Sequence, residues 1–440
     1  MLNWFRKLIS DTNPLRLTYH KILAIAAALI YRFPSRSLRV IAVTGTNGKT
    51  TAVNLIADIL SAAGFSVGMA STINFRVKDK KWTNVTKMTT QSPFFIQKFL
   101  RRLVNEGCTH AVLEISSHSL AQSRTWGVDI QSAVITNVTP DHIEYHGSFE
   151  KYRSAKERLF KNLLLYKRKY RGLTSSVLNI DDKKNFEYFN QHDADKKYTY
   201  GIHGGLFRAI NIKLRSDGSN FEFNTPFGRV DINLRLIGDV NIYNALAAAC
   251  VGLSEHISLE VIKRALEKAI TIPGRFEEVN CGQRFKIIVD YGHTEDALEK
   301  LFSVYRKLID AEKSGGQLIV VFGATGGGRD KGKRPIMGAI ADKYADYIIL
   351  TDDDPYDEDE IEIIEMIAKG VHRREGNKFW KIPDRREAIK LALSIAKDND
   401  TIVISGKGCE EIMMLRRKCI PWNDKNVIRE ILNREIKVEI

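Results

Sequence analysis

The sequence predicts an α/β protein made of two successive, mainly parallel α/β domains. Three observations carry this expectation. Short β-rich apolar runs alternate with helical stretches from Leu38 onward. A glycine loop at Thr44–Thr51 joins the first of these runs to a helix. A second β/α series begins after Pro273-Gly274, past a stretch where the hydrophobic period falls to two. The 440 residues suit two or three domains, and 44% hydrophobic with 27% charged residues is the balance of a globular chain. Disorder, collagen and coiled coil are excluded.

Residues 1–39 stand apart. They hold seven Arg or Lys against one acidic residue, Asp11, and the nine-residue apolar run Ile22–Ile30. That run is far below the ~20 residues needed to span a bilayer. It also starts late for a signal peptide, and Tyr31-Arg32-Phe33-Pro34 is a poor cleavage site. A helix over about 15–31 is expected, packed on the body of the protein in preference to peripheral contact with a membrane surface.

In the central domain, 40–272, Val40–Thr44 reads as a strand and residues 50–63 as the following helix. Ala111–Ile115, Ser132–Asn137 and Ser176–Ile180 are further buried strands. Val230, Ile232, Leu234 and Leu236 alternate with Asp231, Asn233 and Arg235, the pattern of a half-buried antiparallel segment. In the C-terminal domain, 273–440, strands are expected at Lys286–Asp290, Leu318–Phe322, Tyr347–Thr351 and Thr401–Ser405, with amphipathic helices between them. The chain shows no internal repeat and no low-complexity stretch.

The balance of 67 basic and 53 acidic residues gives +14, which suits a polyanion, an anionic membrane or a nucleotide-linked substrate. The basic residues are dispersed and no aromatic-basic platform stands out, so nucleic acid is not an expected partner. The five cysteines are odd in number and lack C-x-x-C spacing, which points to a reducing, cytoplasmic compartment.

The chemistry begins at the glycine loop. Gly45, Thr46, Asn47, Gly48, Lys49, Thr50 and Thr51 lie between strand and helix, where backbone N–H groups and the helix dipole receive phosphate. Lys49 is placed to reach the terminal phosphates of ATP and the Thr50 hydroxyl to bind Mg²⁺. The position five residues before Gly48 is Val43, so the loop is a shortened Gly-x-x-Gly-Lys-Thr form. Glu114, at one strand end, and His142, beyond the next, add a carboxylate and an imidazole beside it, a combination suited to Mg²⁺. Taken singly, Glu114 and His142 also read as structural polar groups, Lys156 as a solvated helix lysine, and Asn241 as a helix N-cap.

Thr44-Gly45-Thr46-Asn47-Gly48-Lys49-Thr50-Thr51 resembles the loop of the Mur ligases, the ATP-dependent amide-forming enzymes of cell-wall precursor synthesis. Glu114–Leu120, Asp141-His142-Ile143-Glu144-Tyr145-His146-Gly147 and Ala155-Lys156 are similar to segments of the tripeptide-forming branch. The likeness implies a central P-loop ATPase domain followed by a Rossmann-like ligase domain. It implies that Thr50, Glu114, His142 and a carbamylated Lys156 hold two Mg²⁺ ions, and that Thr89, Thr90, Ser117 and Arg124 hold the acceptor. It also implies that Asn241 and Asn244 lie on the adenine side of ATP. Pro273-Gly274-Arg275-Phe276-Glu277 and Asp290-Tyr291-Gly292-His293-Thr294 resemble family segments in which Arg275 and Asp290 would contact ATP. Phe322–Pro335 resembles the family's glycine-rich stretch, although Lys331 and Lys333 individually also suit a solvated loop.

Two departures bear on substrates. Asp353-Asp354-Pro355-Tyr356 stands where diaminopimelate-adding enzymes have Asp-Asn-Pro-Arg, and Tyr356 cannot form the arginine's bidentate carboxylate pair. With Asp352, Asp353 and Asp354 adjacent, a diamino acid such as lysine or ornithine is expected, held by Asp353, Asp354, Tyr356, Gly406 and Glu410. Cys409 replaces a histidine of the family's Gly-Lys-Gly-His-Glu. At the front, relatives acting on UDP-linked muramyl peptides carry an N-terminal nucleotide-binding domain, whereas this sequence reaches its loop at Gly45. A nucleotide-linked or lipid-linked muramyl peptide is expected as acceptor: either the uridine nucleotide is held in another way, or the acceptor is another glutamate-containing or peptide-bearing molecule.

The resemblance implies phosphorylation of the acceptor carboxylate by ATP, attack of the amine on the acyl phosphate, closure of the C-terminal domain for that step, and action as a monomer. Ligases of folylpolyglutamate or cyanophycin type are a less favoured alternative, because the Ser-Ser-His and Asp-His-x-x-Tyr-His-Gly segments tell against them. An amidotransferase subunit is expected to carry a cysteine-rich insert, which the sequence lacks.

Overall fold

The computed structural model describes residues 13–164, 173–312, 315–416 and 418–438, so the part of the front segment before Asn13 lies outside the described residues. The chain divides into two compact units, Met1–Ile270 and Thr271–Ile440.

The first unit opens with helix α1 (Pro14–Ile30), begun by the Asn13 side chain accepting from the Leu15 N–H and by proline in the first turn. Strand β1 (Arg39–Thr44) then leads into the glycine loop and α2 (Lys49–Ala62). Next come β2 (Val67–Ala70), β3 (Asn74–Val77), β4 (Lys80–Thr83), α3 (Pro93–Asn105) and β5 (His110–Glu114). After them follow α4 (Ser117–Ala121), β6 (Ser132–Ile135), α5 (Ile143–His146) and α6 (Phe149–Lys161). The unit closes with β7 (Ser175–Asn179), α7 (Lys183–Asn190), β8 (Lys196–Gly201), β9 (Phe207–Arg215), β10 (Gly218–Thr225), β11 (Gly228–Leu234), α8 (Asp239–Ser254) and α9 (Leu259–Lys268).

Its eleven strands form one sheet in the order β11-β10-β9-β8-β7-β6-β1-β5-β2-β3-β4. The run from β9 to β2 is parallel, and antiparallel ribbons extend it at both ends. β1 has β5 on one side and β6 on the other, so the sheet reverses its order of addition there. In open α/β sheets the crevice at the carboxyl ends of such strands receives ligands. The central strands are buried on both faces, which explains their unbroken apolar runs, whereas β11 buries Val230, Ile232 and Leu234 and exposes Asp231 and Asn233. The expected alternation thus falls on a real antiparallel edge. The β2–β4 ribbon had no such signal: Val67–Ala70 is too short and too small-sided to read as a strand in isolation.

The second unit contains β12 (Glu277–Glu278), β13 (Lys286–Asp290), α10 (Glu295–Glu312), β14 (Leu318–Phe322), α11 (Lys333–Tyr344), β15 (Tyr347–Leu350) and α12 (Glu360–Ala368). These are followed by β16 (Phe379–Lys381), α13 (Arg385–Ile395), β17 (Thr401–Ser405), the hairpin β18 (Ile412–Leu415) and β19 (Lys418–Pro421), and α14 (Asp424–Val438). The sheet order is β12-β13-β17-β14-β15-β16, parallel except for β12. Alternate residues feed two cores. Ile288, Val320 and Ile348 pack with Leu298, Phe302, Met337 and Ile363 on one face, and Ile287, Ile319 and Ile349 pack with Ile389, Leu393 and Ile428 on the other. A sheet covered by helices on both faces is the doubly wound arrangement expected of a Rossmann-like unit.

Candidate functional site

The loop after β1 is shaped by bonds from the segment after β6. The Thr46 and Asn47 N–H groups donate to the Asn137 carbonyl (2.9 Å) and to Asn137 Oδ1 (3.0 Å). Thr136 Oγ1 and Asn137 Nδ2 donate to the Asn47 carbonyl at 2.6 and 3.0 Å. A Cβ on Gly45 would stand 1.9 Å from Thr136 Oγ1, and one on Gly48, whose φ is +82°, would stand 2.2 Å from Asn244 Oδ1. Only glycine permits so close an approach in that conformation. Thr50 and Thr51 begin α2 and are buried. Lys49 Nζ donates to the Thr46 carbonyl at 2.7 Å, folding over its own loop.

Asn241 does not cap its helix. Gly238 is the N-cap of α8, and Asn241 Nδ2 donates back to the Ile237 carbonyl at 2.8 Å. Its oxygen accepts from Asn244 Nδ2 at 3.1 Å, so the two asparagines form a pair with Asn244 against Gly48.

Glu114 ends β5 with its carboxylate 2% exposed. It accepts from Thr50 Oγ1 at 3.1 and 3.0 Å, from the Thr72 N–H at 2.8 Å and from Thr72 Oγ1 at 2.7 Å. Among the described residues no ion pair reaches it. A buried carboxylate bonded only to neutral donors, with a loop hydroxyl beside it, is a hard-oxygen environment that suits Mg²⁺. The residues at this position therefore fit the metal that the loop implies.

Lys156 is not a solvated helix lysine. It is 1% exposed on α6, and its Nζ donates to the Gly45 carbonyl at 2.7 Å. Burial, reinforced by the nearby charge of Lys49, pushes its pKa well below the ordinary lysine value. His142 takes a left-handed conformation at the start of α5 (φ 53°). Its nitrogens lie 3.4 Å from Asp141 and 3.5 Å from Glu144, and its ring packs on His118 with centroids 4.5 Å apart. No described contact joins His142 to Glu114, and among the described residues no group of three His, Cys, Asp or Glu is assembled to hold a metal.

The acceptor residues converge beside Glu114. Thr90 Oγ1 donates to the Glu114 carbonyl at 3.0 Å and accepts from the Ser116 N–H at 2.8 Å. Thr89 Oγ1 accepts from Thr72 Oγ1 at 3.1 Å. Arg124 donates to the Thr90 carbonyl and to Gln122 Oε1, both at 2.8 Å. Among the described residues no carboxylate pairs with Arg124, whose pKa is lowered by burial, so its charge lacks a counter-ion. Ser117 Oγ lies 3.0 Å from His146 Nε2. Burial above all pushes the His146 pKa down to about 4, so this imidazole is neutral at physiological pH. Thr72, Gln122 and His146 are additions of the structure. Thr72 sits on the β2–β3 connection, which carries no motif.

In the second unit, Asp290 ends β13 and accepts from the Phe276 N–H (2.9 Å) and the Gly292 N–H (2.6 Å). Burial raises its pKa. The Arg275 guanidinium lies 4.7 Å from the centre of the Tyr291 ring, so the arginine and the aspartate share one neighbourhood. Lys331 is exposed as a solvated loop residue should be, but Lys333 is buried and its Nζ donates to the His293 carbonyl at 3.1 Å.

Asp353, Asp354, Tyr356, Gly406 and Glu410 gather around a residue the motif left unassigned. Lys407, fully buried, donates to Asp354 Oδ1 at 2.8 Å and pairs with Glu410. Asp354 Oδ1 also accepts from the Met414 N–H at 2.7 Å. A Cβ on Gly406 would stand 2.5 Å from Asp353 Oδ2, a buried oxygen with no hydrogen-bond partner among the described residues. The acidic run is therefore less anionic than its sequence suggests. Lys407 already supplies an ammonium, and burial pushes Asp352 up to about 7 and Asp353 up to about 6. Tyr356 lies against Gly327. Arg385, also unmarked in the sequence, is buried with Asp424, which it grips through two bonds at 2.9 and 2.8 Å while donating to the Asp352 and Ser405 carbonyls.

Comparison with known proteins identifies the family. The Mur ligase middle domain family matches residues 43–252, and the Mur ligase glutamate ligase domain family matches residues 274–408. The UDP-N-acetylmuramyl-tripeptide synthetase of Roseiflexus sp. is 37% identical over 420 residues, covering 93% of this chain and 81% of that protein. The UDP-N-acetylmuramoyl-L-alanyl-D-glutamate–2,6-diaminopimelate ligase of Clostridium tetani is 40% identical over 415 residues, with coverage of 94% and 81%. A solved structure of a ligase of that last name superposes with TM-score 0.61 at 31% identity, over 91% of this chain and 79% of the other. Two matched family domains in order, and identities this high across nearly the whole chain, show that it belongs to the Mur ligase family.

Proposed function

We propose that this Mur ligase uses ATP to join an amino acid, of the diamino class, to the peptide carboxylate of a muramyl-type acceptor in peptidoglycan precursor synthesis. The observation that carries the reading is the Thr50–Glu114 contact on the phosphate loop, flanked by the buried Lys156 and by an Arg124 lacking a carboxylate partner. Residues 40–272 would hold ATP and the acceptor, residues 273–440 would hold the amino acid, and residues 1–39 would be a short basic and apolar N-terminal helical segment. The chain would act as a monomer in the cytoplasm.

In this reading the loop N–H groups and Lys49 bind the phosphates of ATP, with Asn241 and Asn244 beside them and Arg275 and Asp290 as further nucleotide contacts. Thr50, Glu114, His142 and Lys156 are the residues that would hold Mg²⁺. Bound there, the metal would neutralise charge on the phosphoryl group being transferred. Arg124 draws the acceptor carboxylate toward Thr89, Thr90 and Ser117. Transfer of the phosphoryl group to that carboxylate gives an acyl phosphate, attack by the amine forms the amide, and phosphate leaves. Burial pushes the Lys156 pKa well down and so favours the uncharged amine, the form that adds CO₂ and loses a proton to become a carbamate. That conversion replaces a cation with an anion beside the metal position. Asp353, Asp354, Tyr356, Gly406 and Glu410 would receive the amino acid, with Tyr356 offering no cation to a distal carboxylate.

The test is ADP release with Mg²⁺-ATP and UDP-N-acetylmuramoyl-alanyl-glutamate across lysine, ornithine and diaminopimelate, with products identified by mass spectrometry. Turnover with lysine or ornithine supports the reading. Robust turnover with diaminopimelate and none with lysine would overturn the assignment at Tyr356. Silence across the panel with ATP binding intact would overturn the acceptor.

A further inference from the structure

Helix α1 is docked inside out. Its buried side is made of Ala24, Ala27 and Ala28, while Leu15 is 77% exposed, Leu29 60% and Ile30 63%, with Tyr19 and Ile22 also exposed between them. At about 100° per residue these five side chains fall within an arc of about 100° on the side opposite the alanines. A helix serving only to cover the body of the protein would turn its leucines and isoleucines inward, because burying each is worth about 1.5–3 kcal/mol. The alanine face is nevertheless closely fitted. A Cβ on Gly127 would stand 2.7 Å from the Ala28 Cβ, and Arg101 on α3 donates to the Tyr31 carbonyl at 2.8 Å. The large residues are therefore held outward by a well-made joint.

The surroundings of the stripe are aromatic and cationic. Trp126, 36% exposed, pairs with the Phe33 ring at 6.3 Å, and Phe94 on α3, against which α1 packs, is also exposed. Residues 13–39 contain Arg16, Lys21, Arg32, Arg36 and Arg39 and no acidic residue. Lys21, Arg32 and Arg36 are exposed, as are Lys98 and Arg102 of α3. The acidic residue nearest in sequence to α3 is Glu106, just past its end. Residues 1–12 add Trp4, Phe5, Leu8 and Ile9 around Arg6 and Lys7, with Asp11 as their one acidic residue.

We propose that the outward face of α1, with Trp126 and the flanking lysines and arginines, is a peripheral docking surface for an anionic lipid bilayer. The aliphatic stripe enters the headgroup boundary, the aromatic rings sit at its level, and the cations meet anionic headgroups. Among the described residues no helix is long and apolar enough to cross a membrane, so the contact is on the surface. A second copy of the chain is disfavoured as occupant, because a two-fold contact through this face would set its cationic rim against itself.

The experiment uses the full chain and co-sedimentation with vesicles of phosphatidylcholine alone or mixed with phosphatidylglycerol, at low and high salt. Expected is binding to the mixed vesicles that weakens with salt. It should fall by about tenfold or more in an Ile22→Glu, Leu29→Glu variant and, separately, in a Lys21→Glu, Arg32→Glu variant. Both variants alter exposed side chains and should keep the wild-type melting curve and ATP binding. No sedimentation at low salt, or undiminished binding by both variants, would overturn the proposal. So would a dimer in light scattering that Ile22→Glu, Leu29→Glu dissociates while vesicles are ignored, which would assign the stripe to a second copy. Vesicle binding is read without any ligase substrate and so stands or falls apart from the acceptor assignment.

Discussion

Lys156→Met asks whether the buried lysine is an amine or an ammonium in the folded protein. Methionine approximates the volume of the lysine stem and keeps the packing against Tyr152, whose ring centre lies 4.4 Å from Nζ. The substitution loses one hydrogen bond, to the Gly45 carbonyl, worth about 1 kcal/mol. It gains by burying an apolar group where a polar one stood. Above the unfolded lysine pKa, where the amine is uncharged in both states, the two effects should leave stability within about 1 kcal/mol of wild type, and as pH falls below it the variant should gain on wild type.

The informative quantity is the pH slope. Burial depresses the folded-state pKa of Lys156, so between that value and the unfolded value near 10.4 the unfolded chain binds one proton more. Wild-type stability carries a contribution that is complete above the unfolded pKa and is lost as pH falls through the folded one. Lys156→Met has no such contribution. The stability difference should therefore move toward wild type by up to about 1.4 kcal/mol for each pH unit between the folded and the unfolded pKa. Urea denaturation of both proteins, in buffers freed of CO₂ and of divalent metals, reads this directly. Parallel stability profiles would refute the reasoning, since they would mean that Lys156 stays charged on folding. A loss of several kcal/mol near neutral pH would refute it as well, because that is the cost of orphaning a buried ion pair.

Three further outcomes follow from the geometry. Asp353→Asn should gain stability relative to wild type as pH rises from about 4 to about 6 and hold the gain above, by up to about 3 kcal/mol in urea unfolding. The folded Asp353 pKa is raised to about 6, and that residue's contribution is lost through this interval. Arg385→Leu should cost about 3–5 kcal/mol in the same measurement, because it leaves Asp424 ionised, wholly buried and without its bidentate partner. Gly48→Ala should weaken ATP binding about tenfold in calorimetry, through left-handed strain of about 1–2 kcal/mol and collision with Asn244. Adding Asn244→Ala should restore only the part due to collision.

What was legible in the sequence is what local rules decide. Val40–Thr44, Leu318–Phe322 and Thr401–Ser405 are apolar because both faces of a parallel strand are covered, and that requirement writes itself into consecutive residues. The glycine loop was legible because phosphate binding needs several residue types at fixed spacing. Thr72 was not: its bonds to Glu114, 42 residues away, depend on β2 lying next to β5. Lys156 and Asn241 show a second kind of failure. Their residue types are plain in the sequence, but whether a lysine is solvated or an asparagine caps is settled by burial and by partners distant in the chain. The acidic run at Asp352–Asp354 was misjudged for the same reason, since charges were counted without the Lys407 that the fold inserts among them.

The same reasoning reaches the amino-acid specificity. Replacing the family's arginine by Tyr356 removes a cation, yet Lys407 is a cation in the same cluster, so loss of the arginine does not by itself leave the site anionic. What decides is whether that ammonium is spent. Lys407 lies between Asp354 and Glu410, two carboxylates for one positive charge, and Asp353 adds a third whose Oδ2 is unpartnered. Raising Asp353 to about 6 trims this excess near neutrality without reversing it. A side-chain ammonium brought to these groups would relieve both the repulsion among them and the unpartnered oxygen, whereas a second carboxylate would add to each. The balance of the cluster thus supports the proposed lysine or ornithine, on grounds that differ from the simple count of aspartates.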